Sequence, residues 1–256
     1  MEDVSLRIVE DKDRLAQEAA AEIVNAISAA LIEKDRVALA LTGGSTPRAA
    51  YHLLGQEPLR GRLAWDKIHF FWGDERHVPP DHPDSNFRMA HEAFLSAVPV
   101  PAGNIHRIPA EDPDAPHAAA AYEETLRGFF HLSPDDKPRF DLLLLGLGPD
   151  AHIASLFPGN PALHATRQLV IAPWVEKLAA FRITLTAPVL NHAARVLFLV
   201  SGEEKSEAVE KVLEAERDPE RYPGQLVRPA DGEVLWLLDR AAAGRLSKTD
   251  QPDQRK

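Results

Sequence analysis

Between Asp13 and Lys34 the apolar residues Leu15, Ala19, Ile23, Ile27 and Leu31 recur every fourth position, with polar and charged residues among them. That spacing lays one apolar stripe along a helix. The period then changes. Arg36–Leu41 (RVALAL) is apolar without a polar phase, the pattern of a short strand buried on both faces. Lys67–Trp72 (KIHFFW), Phe140–Leu145 (FDLLLL), Arg195–Val200 (RVLFLV) and Glu233–Leu238 (EVLWLL) repeat it, and Asn104–Ile108, Leu169–Val175 and Arg182–Thr186 are further strand candidates. Helices are predicted for PRAAYHLL, for NFRMAHEAFLSAV behind a Ser85 cap, for the alanine-rich Pro116–Leu132, for SEAVEKVLEAE, and briefly after the last strand. Ser45 or Thr46 is the expected N-cap ahead of Pro47.

Strands alternating with helices, several of them wholly apolar, predict an α/β fold: a three-layer α/β/α arrangement around a mainly parallel, Rossmann-like sheet. No internal repeat or long linker divides the chain. Residues 1–246 are expected to form a single domain, and the polar SKTDQPDQRK at 247–256 to fray.

Composition narrows the function. The 256 residues carry 29 Lys+Arg against 39 Asp+Glu, a formal net charge of -10. Such a balance disfavours nucleic acid as a partner, and an anionic substrate would need basic residues gathered locally. The chain has no cysteine, which removes disulfides, thiolate metal sites and a cysteine nucleophile, and fits a reducing compartment. MEDVSLRIVEDKDRL is too charged for a signal peptide, and no apolar run approaches the roughly 20 residues that cross a bilayer. The expectation is a cytoplasmic protein without a membrane partner, as monomer or homodimer.

The candidate chemistry follows the strands. TGGST comes after RVALAL, GDER after KIHFFW, GLGPDAH after FDLLLL and SGEEK after RVLFLV. Parallel strands would bring all four segments to one rim, where ligands bind in open α/β sheets. In TGGST, Gly43 and Gly44 let backbone approach a ligand, Ser45 and Thr46 add hydroxyls, and a following helix N-terminus favours an anion. The same residues would also make an ordinary strand–helix turn. No Walker ending follows, and Pro47 replaces the second glycine of a nucleophile elbow. In GDERH, Asp74 could orient a water or a base and Arg76 could hold an anion. His77, Asp81, His82 and Asp84 fit no ligand spacing, so no metal site is expected. GLGPDAH matches a loose dinucleotide fingerprint, with Glu176 as a ribose acid, but Pro149 removes an N–H and Pro158 and Pro161 break the helix it needs. His152 can take a proton from water near neutral pH, and Asp150 can orient it. Lys205 and Arg182 are candidates for neutralising a phosphate.

Together the segments LTGGSTPRAAYHLL, FFWGDERHVPPDHPDSNFRMA, FDLLLLGLGPDAHIASLFPG, RITLTAPVLNHAARVLFLVSGEEKSEAV and DGEVLWLLDRAA resemble the 6-phosphogluconolactonase family, in family order from near residue 36 to near residue 243. The resemblance implies the fold shared with glucosamine-6-phosphate deaminase and ribose-5-phosphate isomerase. It implies hydrolysis of 6-phosphoglucono-1,5-lactone in the oxidative pentose phosphate pathway, without metal or organic cofactor. Two residues depart from the family's Gly-Pro-Asp-Gly-His-Thr: Ala151 and Ile153 replace glycine and threonine. Deaminase relatives place a catalytic glutamate five positions after the histidine, where this chain has Phe157. A sugar-phosphate isomerase or deaminase, and a non-catalytic sugar-phosphate sensor, are the alternatives; the sensor would want a helix-turn-helix, which the sequence does not offer.

Overall fold

The computed structural model describes residues 4–247. Ten strands and six α-helices follow one another among these residues as β1 (Val4–Val9), α1 (Lys12–Glu33), β2 (Val37–Leu41), α2 (Ser45–Leu54), β3 (Ile68–Trp72), β4 (Asp74–Arg76), α3 (Asn86–Ala93), α4 (Ala115–Phe130), β5 (Leu142–Leu145), β6 (Val170–Ile171), β7 (Trp174–Val175), β8 (Ala180–Leu185), α5 (Ala187–Leu190), β9 (Arg195–Val200), α6 (Ser206–Leu213) and β10 (Glu233–Asp239).

Six strands form an all-parallel sheet in the order β1-β10-β9-β5-β2-β3. The strands without a polar phase occupy its middle: β2 and β5 are buried throughout. Helices flank the sheet in a three-layer α/β/α fold. Helix α1 lies against β1, β2, β5 and β10 and packs on α2, which in turn meets α3. The four-residue stripe read from the sequence is the buried face of α1, with Leu15, Ala19, Ile23 and Ile27 at most 1 % exposed.

Several expectations change. Strand β1 was not anticipated, because it is an edge strand whose exposed Val4 and Leu6 alternate with Ser5 and Arg7 in a charged segment. Helix α1 is, by length and hydropathy, long enough to cross a membrane, contrary to the sequence reading; its apolar stripe is spent on the sheet, and Glu18 and Glu22 on its flank pair with Arg7. Residues 104–108 contribute only an isolated bridge, Ile105 to Phe70. The alanine-rich stretch after β10 folds as turns, its start fixed by the Asp239 carboxylate accepting from Ala242 N–H. Leu169–Val175 splits into β6 and β7, and with β4 and β8 these pair antiparallel in smaller sheets. Residues 248–256 of the expected tail lie outside the described residues; Ser247 is held by Glu214.

The topology fixes where a ligand can sit. From β2 the chain steps outward to β3, whereas β5 takes the other side of β2 and leads on to β9 and β10. The strand order therefore reverses at the β2–β5 junction, and a crevice opens beyond the carboxyl ends of those strands. The loops leaving β2 and β5 are TGGST and GLGPDAH.

Candidate active site

Two buried tyrosines anchor the loops that leave the sheet. The Tyr51 hydroxyl, on α2, accepts from Thr42 N–H at 3.0 Å and donates to Thr42 C=O at 3.1 Å. Tyr122, on α4, does the same for Trp72 at 2.9 and 3.0 Å. Burial pushes both phenols above their ordinary pKa, so each hydroxyl stays protonated and can bridge donor and acceptor. Each clamp fixes the backbone at the last residue before, or the first within, a polar loop.

After Thr42 the chain turns at Gly44, whose φ of 112° suits glycine, and α2 begins at Ser45. The N-cap is therefore Gly44, not Ser45 or Thr46; these two occupy the first helical turn, where backbone N–H groups lack intrahelical partners. Gly43 is needed for close approach: a Cβ there would lie 1.9 Å from Asn86 Oδ1. Asn86 donates in turn to Asp74 C=O at 2.9 Å and to Asp74 Oδ1 at 3.4 Å.

Gly73 takes the chain out of the parallel sheet, its N–H donating to Leu41 C=O and its C=O accepting from Leu185 N–H, both at 2.9 Å. Asp74, Glu75 and Arg76 then pair with Thr184, Ile183 and Arg182 of β8. Asp74 is buried and accepts from the Ser155 hydroxyl at 2.7 Å. Glu75 points into the interior, where burial raises its pKa, and it accepts the Asn86 and Phe87 N–H groups that open α3. Ser85 caps α3 as expected, accepting from Arg88 N–H. His77 bonds to the Asp112 carbonyl in the segment before α4, and His82 Nδ1 accepts from Asp84 N–H, so the first ties two loops together and the second serves its own turn.

The GLGPDAH loop is compact. Gly148 N–H donates to His152 C=O at 2.8 Å, and Ala151 N–H to Gly148 C=O at 2.9 Å. This folding brings His152 Nδ1 to 2.5 Å from Asp150 Oδ1. An ionised carboxylate only accepts, so Nδ1 carries the proton and Nε2 is left to serve a ligand. Burial raises the Asp150 pKa, but hydrogen bonds from His152 and Lys177 outweigh it and hold the carboxyl well below the usual range. The His152 ring packs on Phe157 with centroids 4.2 Å apart. Gly148 has no room for a side chain: a Cβ would stand 1.9 Å from His152 Nδ1 and 2.7 Å from Asp150 Oδ1.

Ala151 is buried with φ 65°, in the left-handed region that favours glycine. An alanine held there loses roughly 1–2 kcal/mol to Cβ crowding, against about 0.5–1 kcal/mol of glycine backbone entropy. Ala151→Gly is therefore expected to stabilise the fold by at most about 1.5 kcal/mol, at roughly 2–4 °C per kcal/mol in a melting curve. A fall in Tm would show that the methyl packing outweighs the strain.

One open cleft of about 240 Å³ collects these loops. Gly43, Gly44, Asp74, Arg76, His152 and Lys205 all line it, joined by Thr42, Asn86, Gly146, Leu147, Gly148 and Ala154. Lys205 closes the 3-10 turn after β9 and is half-buried; burial lowers its pKa, while Glu204 and Asp150 draw it upward. Two cations thus gather in the cleft of a chain whose net charge is -10. Ser45, Thr46 and Asp150 are not among the lining residues; Ser45 and Thr46 follow Gly44 in the first turn of α2, and Asp150 is bonded to His152. Arg182 is outside it. It lies opposite Arg76 in the β4–β8 pair and is half-buried, with burial first and Arg76 second lowering its pKa. Asn86, Gly148 and Lys177 were not singled out from sequence. Asn86 was absorbed into a helix, Gly148 into a turn, and Lys177 lies in a segment without periodicity.

The profile of the family described as glucosamine-6-phosphate isomerases/6-phosphogluconolactonase matches residues 10–236. A 6-phosphogluconolactonase from a Nostoc species is 41 % identical over 243 residues, covering 95 % of this chain and 98 % of its own. One from Mycobacterium tuberculosis is 38 % identical over 250 residues, covering 94 % and 98 %. The solved structure of 6-phosphogluconolactonase from Trypanosoma brucei superposes with a TM-score of 0.85 at 29 % identity, covering 95 % of this chain and 98 % of that one.

Proposed function

Since the chain belongs to the glucosamine-6-phosphate isomerase/6-phosphogluconolactonase family, we propose that it hydrolyses 6-phospho-D-glucono-1,5-lactone to 6-phospho-D-gluconate, with His152 as general base. The observation that carries the reading is the shared cleft. His152, the glycines opening α2, Arg76 and Lys205 come from four separate loops and face one space.

In this reading the 6-phosphate lies against Gly43, Gly44, Ser45 and Thr46, where the first-turn N–H groups and the α2 dipole favour an anion. Lys205 supplies the opposing charge, and the phosphate offsets the burial of that ammonium. The ring reaches towards His152. Nε2 takes a proton from water as its oxygen bonds to the lactone carbonyl carbon. The tetrahedral intermediate expels the ring oxygen, breaking the C1–O5 bond, and the proton held on His152 passes to that oxygen. Asp150 keeps Nδ1 protonated and steadies the imidazolium. Arg76 gives the cleft a fixed positive charge against the developing oxyanion. Asp74, tied to Ser155 and Asn86, holds the floor of the cleft in register. The scheme uses no metal ion or organic cofactor, and a cytoplasmic setting suits a chain without cysteine.

A deaminase reading lacks its acid, since Phe157 packs against His152 where a carboxylate would be required. The direct test is an initial-rate assay on freshly made 6-phosphogluconolactone beside an enzyme-free control. Acid release above the blank supports the reading, and a rate equal to the blank removes it. Lys205→Ala is expected to raise KM at least ~10-fold with a smaller change in kcat, the pattern for lost uniform binding of a charged group. An unchanged KM would take Lys205 out of the phosphate site.

A further inference from the structure

Lys177 makes two contacts that the hydrolytic scheme does not use. Its ammonium pairs with Asp150 Oδ2, the carboxylate oxygen turned away from His152, and stands 4.4 Å from the centroid of the Phe157 ring. Phe157 is the ring on which the imidazole packs. One lysine thus touches both supports of His152: the carboxylate that fixes its tautomer and the aromatic face that fixes its plane. The segment bearing it, Glu176–Leu178, closes at Ala179 with φ 46°; the facing loop has Ala151 at φ 65° and Ala154 at φ 46°. Non-glycine residues in this region are uncommon, and three of them cluster around one ion pair.

We propose that Lys177 is a positioning residue that sets both the orientation and the basicity of His152 through Asp150; this rests on the general-base reading of His152. A lone Asp150 carboxylate would stabilise the imidazolium strongly and make the base hold its proton. A cation on the second oxygen withdraws part of that charge and weakens the pull of Asp150 on the imidazolium, while the hydrogen bond keeps its geometry. The other charged groups facing this dyad are Lys205, which senses Asp150, and Arg76 and Asp74 on the cleft wall.

The test is the pH dependence of kcat/KM in Lys177→Met and Lys177→Arg, with His152→Ala measured alongside. Methionine keeps an unbranched apolar stem one atom shorter, which can still lie on Phe157, but removes the charge; the lysine is half-exposed, so either variant can fold. The acid limb of Lys177→Met is expected to move up by about 0.5–1 pH unit, with kcat falling several-fold, and Lys177→Arg to stay within about 0.3 unit of the parent. An unmoved limb in Lys177→Met overturns the proposal, even where kcat falls, because a merely structural contact would lower the rate without changing the titration. Equal shifts in the two variants overturn the charge argument as well. If instead His152→Ala hydrolyses at the full rate, the general-base reading itself is at fault, which separates the two failures.

Discussion

Replacing His152 with alanine is expected to slow lactone hydrolysis by about 10²–10⁴-fold, the usual contribution of a positioned general base. The loss should fall on kcat. His152 sits at the β5 end of the cleft, whereas the proposed phosphate contacts come from the α2 N-terminus and the turn after β9. KM should therefore change by less than about 3-fold, as for an interaction made chiefly in the transition state. The parent rate must be corrected for spontaneous opening of the lactone, which is an activated ester. A variant that retains full kcat would remove the imidazole from the mechanism while leaving the cleft in place.

Gly148→Ala should approach the same loss without touching a reactive group. The added Cβ would sit 1.9 Å from Nδ1 and 2.2 Å from Cε1 of the imidazole, so the ring must move. Asp150 cannot absorb the shift, because its Oδ1 would be only 2.7 Å from the same carbon. A displacement near 1 Å at a reacting group costs on the order of 10²-fold in rate, and that is the expected effect on kcat. Gly148 has no positive φ among the described glycines, so the loop backbone itself accepts alanine. The melting temperature should consequently fall by only a few degrees, at roughly 2–4 °C per kcal/mol. Parent-like kcat in a folded Gly148→Ala would mean that the imidazole position seen here is not the working one.

The two results share a cause that the sequence shows only in part. Five of the six strands of the parallel sheet were legible, because a strand buried on both faces leaves an apolar run with no alternation. FDLLLL lies near the middle of the sheet and was the plainest of them. The sixth, β1, was hidden by its place at the edge, where half of its side chains meet solvent. The four polar segments after the strands could be recognised, and so could the candidates Gly43, Gly44, Asp74, Arg76, His152 and Lys205, because parallel strands leave their connections on a common rim.

What could not be read are contacts between loops. β8 looks like one more strand of the main sheet, yet it runs antiparallel to β4 and sets Arg182 directly opposite Arg76, a pairing that no local pattern announces. Asn86 belongs by pattern to a helix start, and only the folded chain sets its amide on the bare Cα of Gly43. Lys177 follows a tryptophan–valine pair in a segment with no period, and nothing local marks it as a partner of Asp150. Ala151 is the converse case. Its departure from the family's glycine raised the question of a positive φ, and the loop does adopt one.

The central claim is that separate loops seat the two ends of one sugar phosphate, phosphate at the α2 N-terminus and lactone carbon at the imidazole. A crystal structure with 6-phosphogluconate bound tests it most directly. The account predicts the phosphate on the N–H groups of residues 43–46 and on Lys205, with the C1 carboxylate within hydrogen-bond reach of His152 Nε2. A product bound with its phosphate at His152, or with C1 more than about 6 Å from that nitrogen and no water between them, beyond direct or single-water reach, would contradict it.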